Sequence, residues 1–227
     1  APRRVNHVVW DWTGTLLDDF ALTARIGEDS LQALGVPGVT AERFRDAFTR
    51  PFAAFYSGLL GRPVSEAEFD YIRGRYEREY AAAVRSLALQ PDAGAALDLV
   101  AGRAGQSLLS MAPHDHLQEM VDHFRLHDRF MRVDGSRTGS SDGVKAASLS
   151  RHLDQLGVAG AETVLIGDTV DDFDAAAACG AAAVLVTTGS QSRPALVATG
   201  APVTDTLLRA ASLALNGDGA TPPSEGP

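Results

Sequence analysis

Cysteine, lysine and long apolar runs are all scarce in this sequence. Its only cysteine, Cys179, cannot form a disulfide bond within the chain, and the alanines around it predict a small buried apolar residue rather than a catalytic thiol. No apolar run approaches the ~20 residues that a membrane-spanning helix needs, and the first residues lead into a strand-length run rather than a signal peptide. We therefore expect a cytoplasmic protein with no membrane partner.

Basic residues are also few, at 20 against 29 acidic ones, which gives a net charge of −9. Binding to nucleic acid generally needs a basic surface that displaces the counterions of the phosphates, so we expect no nucleic-acid partner. Lys145 is the only lysine, and every other basic residue is an arginine. Because an ammonium is more compact than a guanidinium, a tight site can require lysine, although a surface lysine retained by chance is the alternative.

What the sequence does contain is enough apolar residues, 45% of 227, to bury one substantial core and a smaller second lobe. From Leu89 onward, strand-like and helical segments alternate, which is typical of a parallel sheet flanked by helices. We predict strands at residues 5–10, 106–111, 130–134, 163–166 and 182–186. We predict helices from Asp92 through Val100, after Asp172, and from Thr204 through Leu215.

Residues 19–85 interrupt this alternation, because they carry several helical patterns and no convincing strand. Thr40 indicates one helix start, and Ser65 with Glu68 matches a capping box ahead of a helix that runs through Val84. Five aromatic residues have a spacing compatible with one helical face and are interpreted as a bundle core: Phe44, Phe48, Phe52, Phe55 and Tyr56.

The predicted organisation is therefore an α/β core formed by residues 1–18 and 86–215, with an inserted all-helical cap at 19–85. The last segment, 216–227, is rich in glycine and proline, lacks an apolar period, and is predicted to be disordered.

The most informative segment is an apolar run that ends in Asp11 and continues as Trp12-Thr13-Gly14-Thr15. The run reads as a buried strand of a parallel sheet, and ligands of such sheets bind at the carboxyl ends of the strands. Asp11 is therefore placed for chemistry, and the tight turn after it, rich in hydroxyl groups, would suit a phosphate.

Three later segments complete a pattern: Ser110 near the end of a strand, Lys145, and the acidic run Gly167-Asp168-Thr169-Val170-Asp171-Asp172. Together with the Asp11 segment, and in this order, they resemble the four motifs of the haloacid dehalogenase superfamily. The resemblance spans nearly the whole chain, implies a Rossmann-like core with a type 1 helical cap, and is greatest to phosphoglycolate phosphatase-like members.

The resemblance implies a role for each matching residue. Asp11 would be the nucleophile that becomes phosphorylated, with Ser110 and Lys145 stabilising the phosphoryl group. The phosphate-binding set would be Thr15, Ser110, Met111 and Lys145. Mg²⁺ would be held by Asp11, the backbone carbonyl of Thr13, Asp168 and Asp172, with Asp171 as an alternative neighbour of the metal. The alternative for the acidic residues is that they favour the start of the following helix.

Thr13 departs from the family pattern, because most of the family's phosphatases carry there a second Asp that protonates the leaving group. Threonine is no acid, so we expect good leaving groups, such as acyl or aryl phosphates, to be hydrolysed better than alkyl phosphates. Asp18, Asp19 and His114 are the other candidate acids, but the first two are equally explained as residues of the turn and the third as a helix start.

Other family members without that Asp fit less well. Transport ATPases need membrane helices, phosphonoacetaldehyde hydrolases need a cap lysine, and dehalogenases lack the acidic fourth motif. The resemblance therefore implies a Mg²⁺-dependent phosphohydrolase that acts on a small phosphorylated metabolite through an aspartyl phosphate. A catalytically weak protein that binds a phosphorylated ligand or partner is the alternative. The arginines of the cap, including Arg25, Arg45 and Arg50, are candidates for binding a substrate carboxylate or second phosphate, and the sequence does not select among them. The sequence makes no prediction of oligomeric state.

Overall fold

The computed structural model of the protein describes residues 4–137 and 144–219. Six strands form one parallel sheet in the order β3-β2-β1-β4-β5-β6, so the strand that ends at Asp11 lies near the middle. The strands are β1 His7–Trp10, β2 Gly105–Pro113, β3 Val133–Ser136, β4 Thr163–Gly167, β5 Ala182–Val186 and β6 Val203–Thr204. The predicted α/β fold class with a Rossmann-like parallel sheet is confirmed.

Helices cover both faces of the sheet and fill the segment between β1 and β2. Between these two strands lie α1 Phe20–Ala33, α2 Ala41–Ala47, α3 Phe52–Leu60 and α4 Glu66–Ala83. The remaining helices are α5 Ala93–Ala101, α6 His114–His123, α7 Lys145–Leu156, α8 Val170–Ala178, α9 Arg193–Ala198 and α10 Leu207–Leu215. No helix in the described ranges is both long enough and apolar enough to cross a bilayer.

The core lies on both faces of the sheet, as the alternation of side chains along β1 requires. Val8 and Trp10 pack in a cluster with residues of α5 and α10, including Leu97 and Leu207. Val9, between them in the sequence, packs on the opposite face with residues of α7 and α8. A sheet buried on both faces fixes the ends of its strands rigidly, which is what a site at those ends needs.

Helices α1–α4, called the cap below, pack around a hydrophobic cluster of their own. Thr40 and Ser65 cap α2 and α4 as predicted, and the Ser65–Glu68 capping box is present. The aromatic residues do not share one helix face, because the chain turns at Pro51 and divides them between α2 and α3. Their interpretation as a bundle core holds, since the Phe44 and Phe55 rings meet at 4.7 Å.

Several local predictions differ from the structure. The strand predicted at 130–134 begins at Val133, because a short 3₁₀ turn at His127–Arg129 precedes it. Thr204 does not start the last helix but lies in the two-residue strand β6, and Thr206 caps α10 through the amide of Arg209.

Three further predictions need correction or limits. Asp92 lies at the start of α5, but its carboxylate accepts a hydrogen bond from Leu208 of α10 instead of capping its own helix. Cys179 is half-buried rather than buried. In the segment predicted to be disordered, Gly217 and Asp218 bond back to α10, and residues 220–227 lie outside the described residues.

A buried polar chain connects the sheet to α7, the helix that begins at Lys145. His152 binds Asp134 through Nδ1 at 2.6 Å and the Ser107 hydroxyl through Nε2 at 2.7 Å. The same hydroxyl lies 2.7 Å from Nε2 of His7. If His152 donates its Nδ1 proton to the carboxylate, its Nε2 accepts from Ser107, which in turn accepts from His7. Both histidines are then neutral, and each donor has an acceptor.

Because of this buried hydrogen-bond network, we expect the protein to lose stability in acid. Burial, together with repulsion from His152 when that residue is protonated, lowers the pKa of His7 from 6.5 to about 4. The unfolded chain therefore binds a proton at His7 that the folded protein excludes, so the free energy of unfolding falls as the pH drops from 6.5 towards 4. The shift corresponds to about 3 kcal/mol.

The measurement is urea unfolding at pH 7 and at pH 4.5 for the wild type and for His7→Gln, whose amide can replace the Nε2 donor. We expect the variant to lose less stability on acidification than the wild type. Equal losses in the two proteins would contradict the assignment of this effect to His7.

Candidate active site

The candidate site lies at the carboxyl edge of the sheet, where the central strands end. Asp11 follows β1, Asp168 follows β4, and Ser110 lies in the second half of β2. Because β1 pairs with both β2 and β4 in parallel, these three positions meet at one edge. Lys145 reaches the same place from the first position of α7.

Lys145 is the positive centre of this cluster. Its Nζ lies 2.9 Å from Oδ1 of Asp11 and also donates to Oδ1 of Asp172. Burial opposes the charge of the ammonium, but the carboxylates of Asp11 and Asp172 outweigh that effect and raise the pKa of Lys145 above its ordinary value. The side chain is 8% exposed, so the sole lysine of the chain is a buried cation and not a surface residue retained by chance.

Three carboxylates lie close to one another here, and two of them contact Lys145. Asp11, Asp168 and Asp172 each offer an oxygen, and these atoms lie within 4.8 Å of one another. Burial raises the pKa of Asp11 in spite of Lys145, and burial with the charges of Asp11 and Asp172 raises the pKa of Asp168 well above its ordinary value. The site thus concentrates negative charge that one ammonium does not balance. A divalent cation with a preference for oxygen ligands, such as Mg²⁺, fits this donor set.

Asp172 combines two roles that the sequence left as alternatives. Its Oδ2 accepts hydrogen bonds from the amides of Asp168 and Thr169 and from the Thr169 hydroxyl, which forms a capping box at the start of α8. Its Oδ1 faces Lys145. The hydrogen bonds at the start of α8 therefore orient the Asp172 carboxylate, and its Oδ1 joins the cluster through Lys145.

Asp168 is held by the turn after β5, which the sequence analysis missed. The Ser190 amide donates to its Oδ2 at 2.7 Å, and a Cβ at Gly189 would lie 1.9 Å from that same oxygen. A Cβ at Gly14, whose φ is +71°, would lie 2.6 Å from it. Only glycine fits at these two positions. The Gly189-Ser190 pair, which follows two threonines after the buried strand β5, is the signal that would have found this turn.

The predicted phosphate-binding residues are placed in different ways. Thr15 is fully buried, and its hydroxyl donates to Asp168 at 3.2 Å, so it holds a carboxylate in the structure. Ser110 is 1% exposed, and its Oγ accepts from the amide of Ala112, which leaves its own proton to donate. Met111 follows it and lines a cleft beside α7. Their assignment to phosphate stays a prediction.

Of the candidate arginines Arg25, Arg45 and Arg50, the last two contact the core. Arg45 donates to the carbonyl of Gly189 at 2.9 Å and stacks over the Phe20 ring at 3.8 Å. Arg50 pairs with Asp171 at 2.5 Å, so the alternative metal neighbour is engaged with the cap. Arg25 instead pairs with acidic residues of α1 and α4. The cap therefore rests on the loops that surround the carboxylate cluster.

The candidate acids also separate in the structure. Asp18 is exposed, whereas Asp19 is buried with both carboxylate oxygens hydrogen-bonded. His114 begins α6, and its Nδ1 accepts from the amide of Gly135 in β3. His114 is therefore a residue of a helix start, as the alternative interpretation predicts. Asp19 does more than serve the turn, because it also accepts from Tyr80 of α4.

The sheet order, the inserted helices and the carboxylate cluster beside a buried lysine define a Rossmann-like α/β protein with a candidate metal site at the carboxyl edge of its sheet. The haloacid dehalogenase-like hydrolase family model matches residues 5–180, and the chain belongs to that family. It is 24% identical over 193 residues to a phosphoglycolate phosphatase of Aliivibrio fischeri, which covers 82% of this chain and 85% of that relative.

Solved structures show the same fold. A haloacid dehalogenase-like family hydrolase from Streptococcus pneumoniae superposes with a TM-score of 0.75 at 20% identity, covering 90% of this chain and 96% of that one. A structure described as a predicted phosphatase from Clostridium acetobutylicum gives a TM-score of 0.76 at 18% identity, with 92% and 97% coverage.

Proposed function

We propose that this hydrolase is a Mg²⁺-dependent phosphatase that hydrolyses a small phosphorylated metabolite through a phosphorylated Asp11. The observation that carries the proposal is the placement of the Asp11 carboxylate, 2.9 Å from a buried ammonium and clustered with Asp168 and Asp172. A carboxylate that faces a fixed cation at the end of a central strand is placed to act as a nucleophile, and the ammonium opposes the effect of burial on the pKa of Asp11. The phosphoglycolate phosphatase of Aliivibrio fischeri adds support from a relative.

In the proposed reaction, one Asp11 oxygen forms a bond to phosphorus while the bond from phosphorus to the leaving oxygen breaks. Water then hydrolyses the aspartyl phosphate and restores Asp11 with release of inorganic phosphate. Lys145 offsets the charge of the phosphoryl oxygens, and the Ser110 hydroxyl donates a hydrogen bond to one of them.

The metal would be held by the carboxylates of Asp11, Asp168 and Asp172 and by the carbonyl of Thr13. When bound, Mg²⁺ supplies positive charge that offsets the phosphoryl oxygens in the transition state. The cap contacts through Arg45 and Arg50 support a small substrate, because they bring the cap against the loops that enclose the site. A site covered in this way excludes bulk water and large substrates.

Thr13 bears on the choice of leaving group. Without an acid two residues after the nucleophile, the leaving oxygen departs as an anion unless another group protonates it, a difference typically worth ~10² to 10⁴ in rate. We therefore expect aryl and acyl phosphates to be hydrolysed faster than alkyl phosphates. Thr13→Asp should increase the rate on alkyl phosphates selectively.

The experiment measures Mg²⁺-dependent phosphate release from paired aryl, acyl and alkyl phosphates with the wild type and Thr13→Asp. Turnover confined to good leaving groups, with a selective gain for alkyl phosphates in the variant, supports the proposal. A folded, Mg²⁺-binding wild type that neither releases phosphate nor forms a phosphoenzyme would favour the alternative, a protein that binds a phosphorylated ligand or partner.

A further inference from the structure

Asp19 is a buried carboxylate that the proposed reaction does not use. It is 3% exposed at the start of α1, yet its side chain does not cap that helix. Its Oδ1 accepts from the amide of Gly14 at 2.7 Å, and its Oδ2 accepts from the hydroxyl of Tyr80 at 2.7 Å. One carboxylate thus bonds a backbone amide of the nucleophile loop, residues 11–15, and a side chain of the cap helix α4.

The bond to Gly14 fixes the orientation of the peptide that joins it to Thr13. A trans peptide places its C=O opposite its N–H, so the carbonyl of Thr13 points away from Asp19. The next carbonyl, that of Gly14, accepts from the Thr188 hydroxyl at 2.7 Å. The absence of a side chain at Gly14 also lets the loop lie directly against Asp168. Asp19 therefore sets the rotation of the peptide whose carbonyl is assigned to the metal.

The bond to Tyr80 reaches across 61 residues of sequence and ties this peptide to the cap. Tyr80 is 8% exposed, and its ring stacks on Tyr76 of the same helix with centroids 5.2 Å apart. The hydrogen bond of Arg45 to Gly189 reaches the turn after β5, and the ion pair of Arg50 with Asp171 reaches the start of α8. Tyr80 instead acts on the nucleophile loop.

We propose that Asp19 is a positioning residue that couples the placement of α4 to the orientation of the Thr13–Gly14 peptide. While the Tyr80 hydroxyl donates to Asp19, the carboxylate stays in place to accept from the Gly14 amide, and the orientation of the Thr13 carbonyl is fixed. When α4 moves away, Asp19 loses one of its two donors and the peptide is free to rotate. The proposal rests on the proposed function, since the loop it controls carries Asp11.

Electrostatics support this assignment. Burial raises the pKa of Asp19 to about 6, and the hydrogen bonds from Tyr80 and Gly14 act in the opposite direction. The charge of Asp11 also raises this pKa, so the two carboxylates lie close enough to interact. Each donor therefore stabilises an otherwise unfavourable buried anion, and removing either one weakens the link between cap and loop.

The test compares Tyr80→Phe with Tyr76→Phe, which removes a neighbouring cap hydroxyl that lies against Thr23 and leaves the Tyr80–Asp19 hydrogen bond in place. Three quantities are measured on the full chain: the Mg²⁺ dissociation constant by calorimetry, and kcat and KM for p-nitrophenyl phosphate at saturating Mg²⁺. For Tyr80→Phe we expect about tenfold weaker Mg²⁺ binding and about tenfold lower kcat, as is typical for residues that orient metal ligands. KM should change less than kcat, and Tyr76→Phe should match the wild type.

Two variants of Asp19 separate positioning from simple structural support. Asp19→Asn keeps an oxygen for the Gly14 amide and offers its own amide to the Tyr80 oxygen, so it should rescue most of kcat. Asp19→Ala loses both bonds and should fall below Tyr80→Phe in kcat and Mg²⁺ affinity.

The proposal is overturned if Tyr80→Phe and Tyr76→Phe have the same kcat and Mg²⁺ affinity, or if Asp19→Ala lowers only the melting temperature. A wild type without turnover would instead refute the proposed function. In that case the Mg²⁺ affinities of the same four variants still decide whether Asp19 couples the cap to the loop.

Discussion

Asp11→Asn is expected to abolish phosphate release, with a fall in kcat/KM of at least about 10⁴-fold, because an amide cannot form the acyl phosphate. The substitution keeps the size of the side chain and removes one of three clustered negative charges. It should therefore leave the fold intact and should not lower the melting temperature in the presence of a chelator. Acid-quenched intact mass spectrometry should find a phosphorylated species in the wild type and none in the variant.

Asp174→Asn is the matched control, since it removes a carboxylate from the same acidic run without touching the cluster of Asp11, Asp168 and Asp172. Its kcat/KM should equal that of the wild type. A phosphoenzyme that persists in Asp11→Asn would place the nucleophile elsewhere, and Asp168 would then be the next carboxylate to replace.

The residues of the proposed chemistry could be predicted because each one follows a local pattern. Asp11 and Asp168 come directly after apolar runs of strand length, and parallel strands bring such positions to one edge. Lys145 stood out by composition alone, and its burial explains why lysine is kept there in a chain that otherwise uses arginine. In these cases a short stretch of sequence determines both the local structure and the direction of the side chain.

What the sequence could not predict are contacts between distant segments. Tyr80 meets Asp19 only because α4 packs against α1, and no periodicity indicates which tyrosine faces the core. The buried hydrogen-bond network from His7 to Asp134 likewise joins three strands and a helix. In the sequence, polar residues at such positions cannot be distinguished from exposed strand or helix residues. Only tertiary packing buries them, and burial then requires a hydrogen-bond partner for each donor.

The weakest local predictions were the element boundaries. The two-residue strand β6 has no apolar period to detect, so the sequence predicts a helix cap at Thr204 where the structure has a strand. The spacing of the aromatic residues around Pro51 is compatible with a single helix. Pro51 and the turn before it instead divide residues 41–60 into the two helices α2 and α3. In both places a short irregular segment decides the structure, and hydrophobic periodicity carries little information about it.

Lys145→Met is expected to lower kcat/KM by about 10³-fold, because it removes the cation that offsets charge on the transferred phosphoryl group. It also leaves Asp11 and Asp172 buried without their ammonium partner, and breaking such a pair typically costs about 3–5 kcal/mol. The metal-free variant should therefore melt at a lower temperature than the wild type. Mg²⁺ should restore more stability to the variant than to the wild type, because the cluster has lost its internal cation.

Arg151→Met is the control for loss of a positive charge, since it lies on the exposed side of the same helix and should leave activity unchanged. Lys145→Arg tests whether charge alone is enough. The site is closed around a compact ammonium that reaches two carboxylates, so a planar guanidinium must displace one of them, and we expect activity near that of Lys145→Met. Activity close to the wild type in Lys145→Arg would mean that the site needs only a positive charge. The retention of a single lysine in this chain would then have no structural explanation.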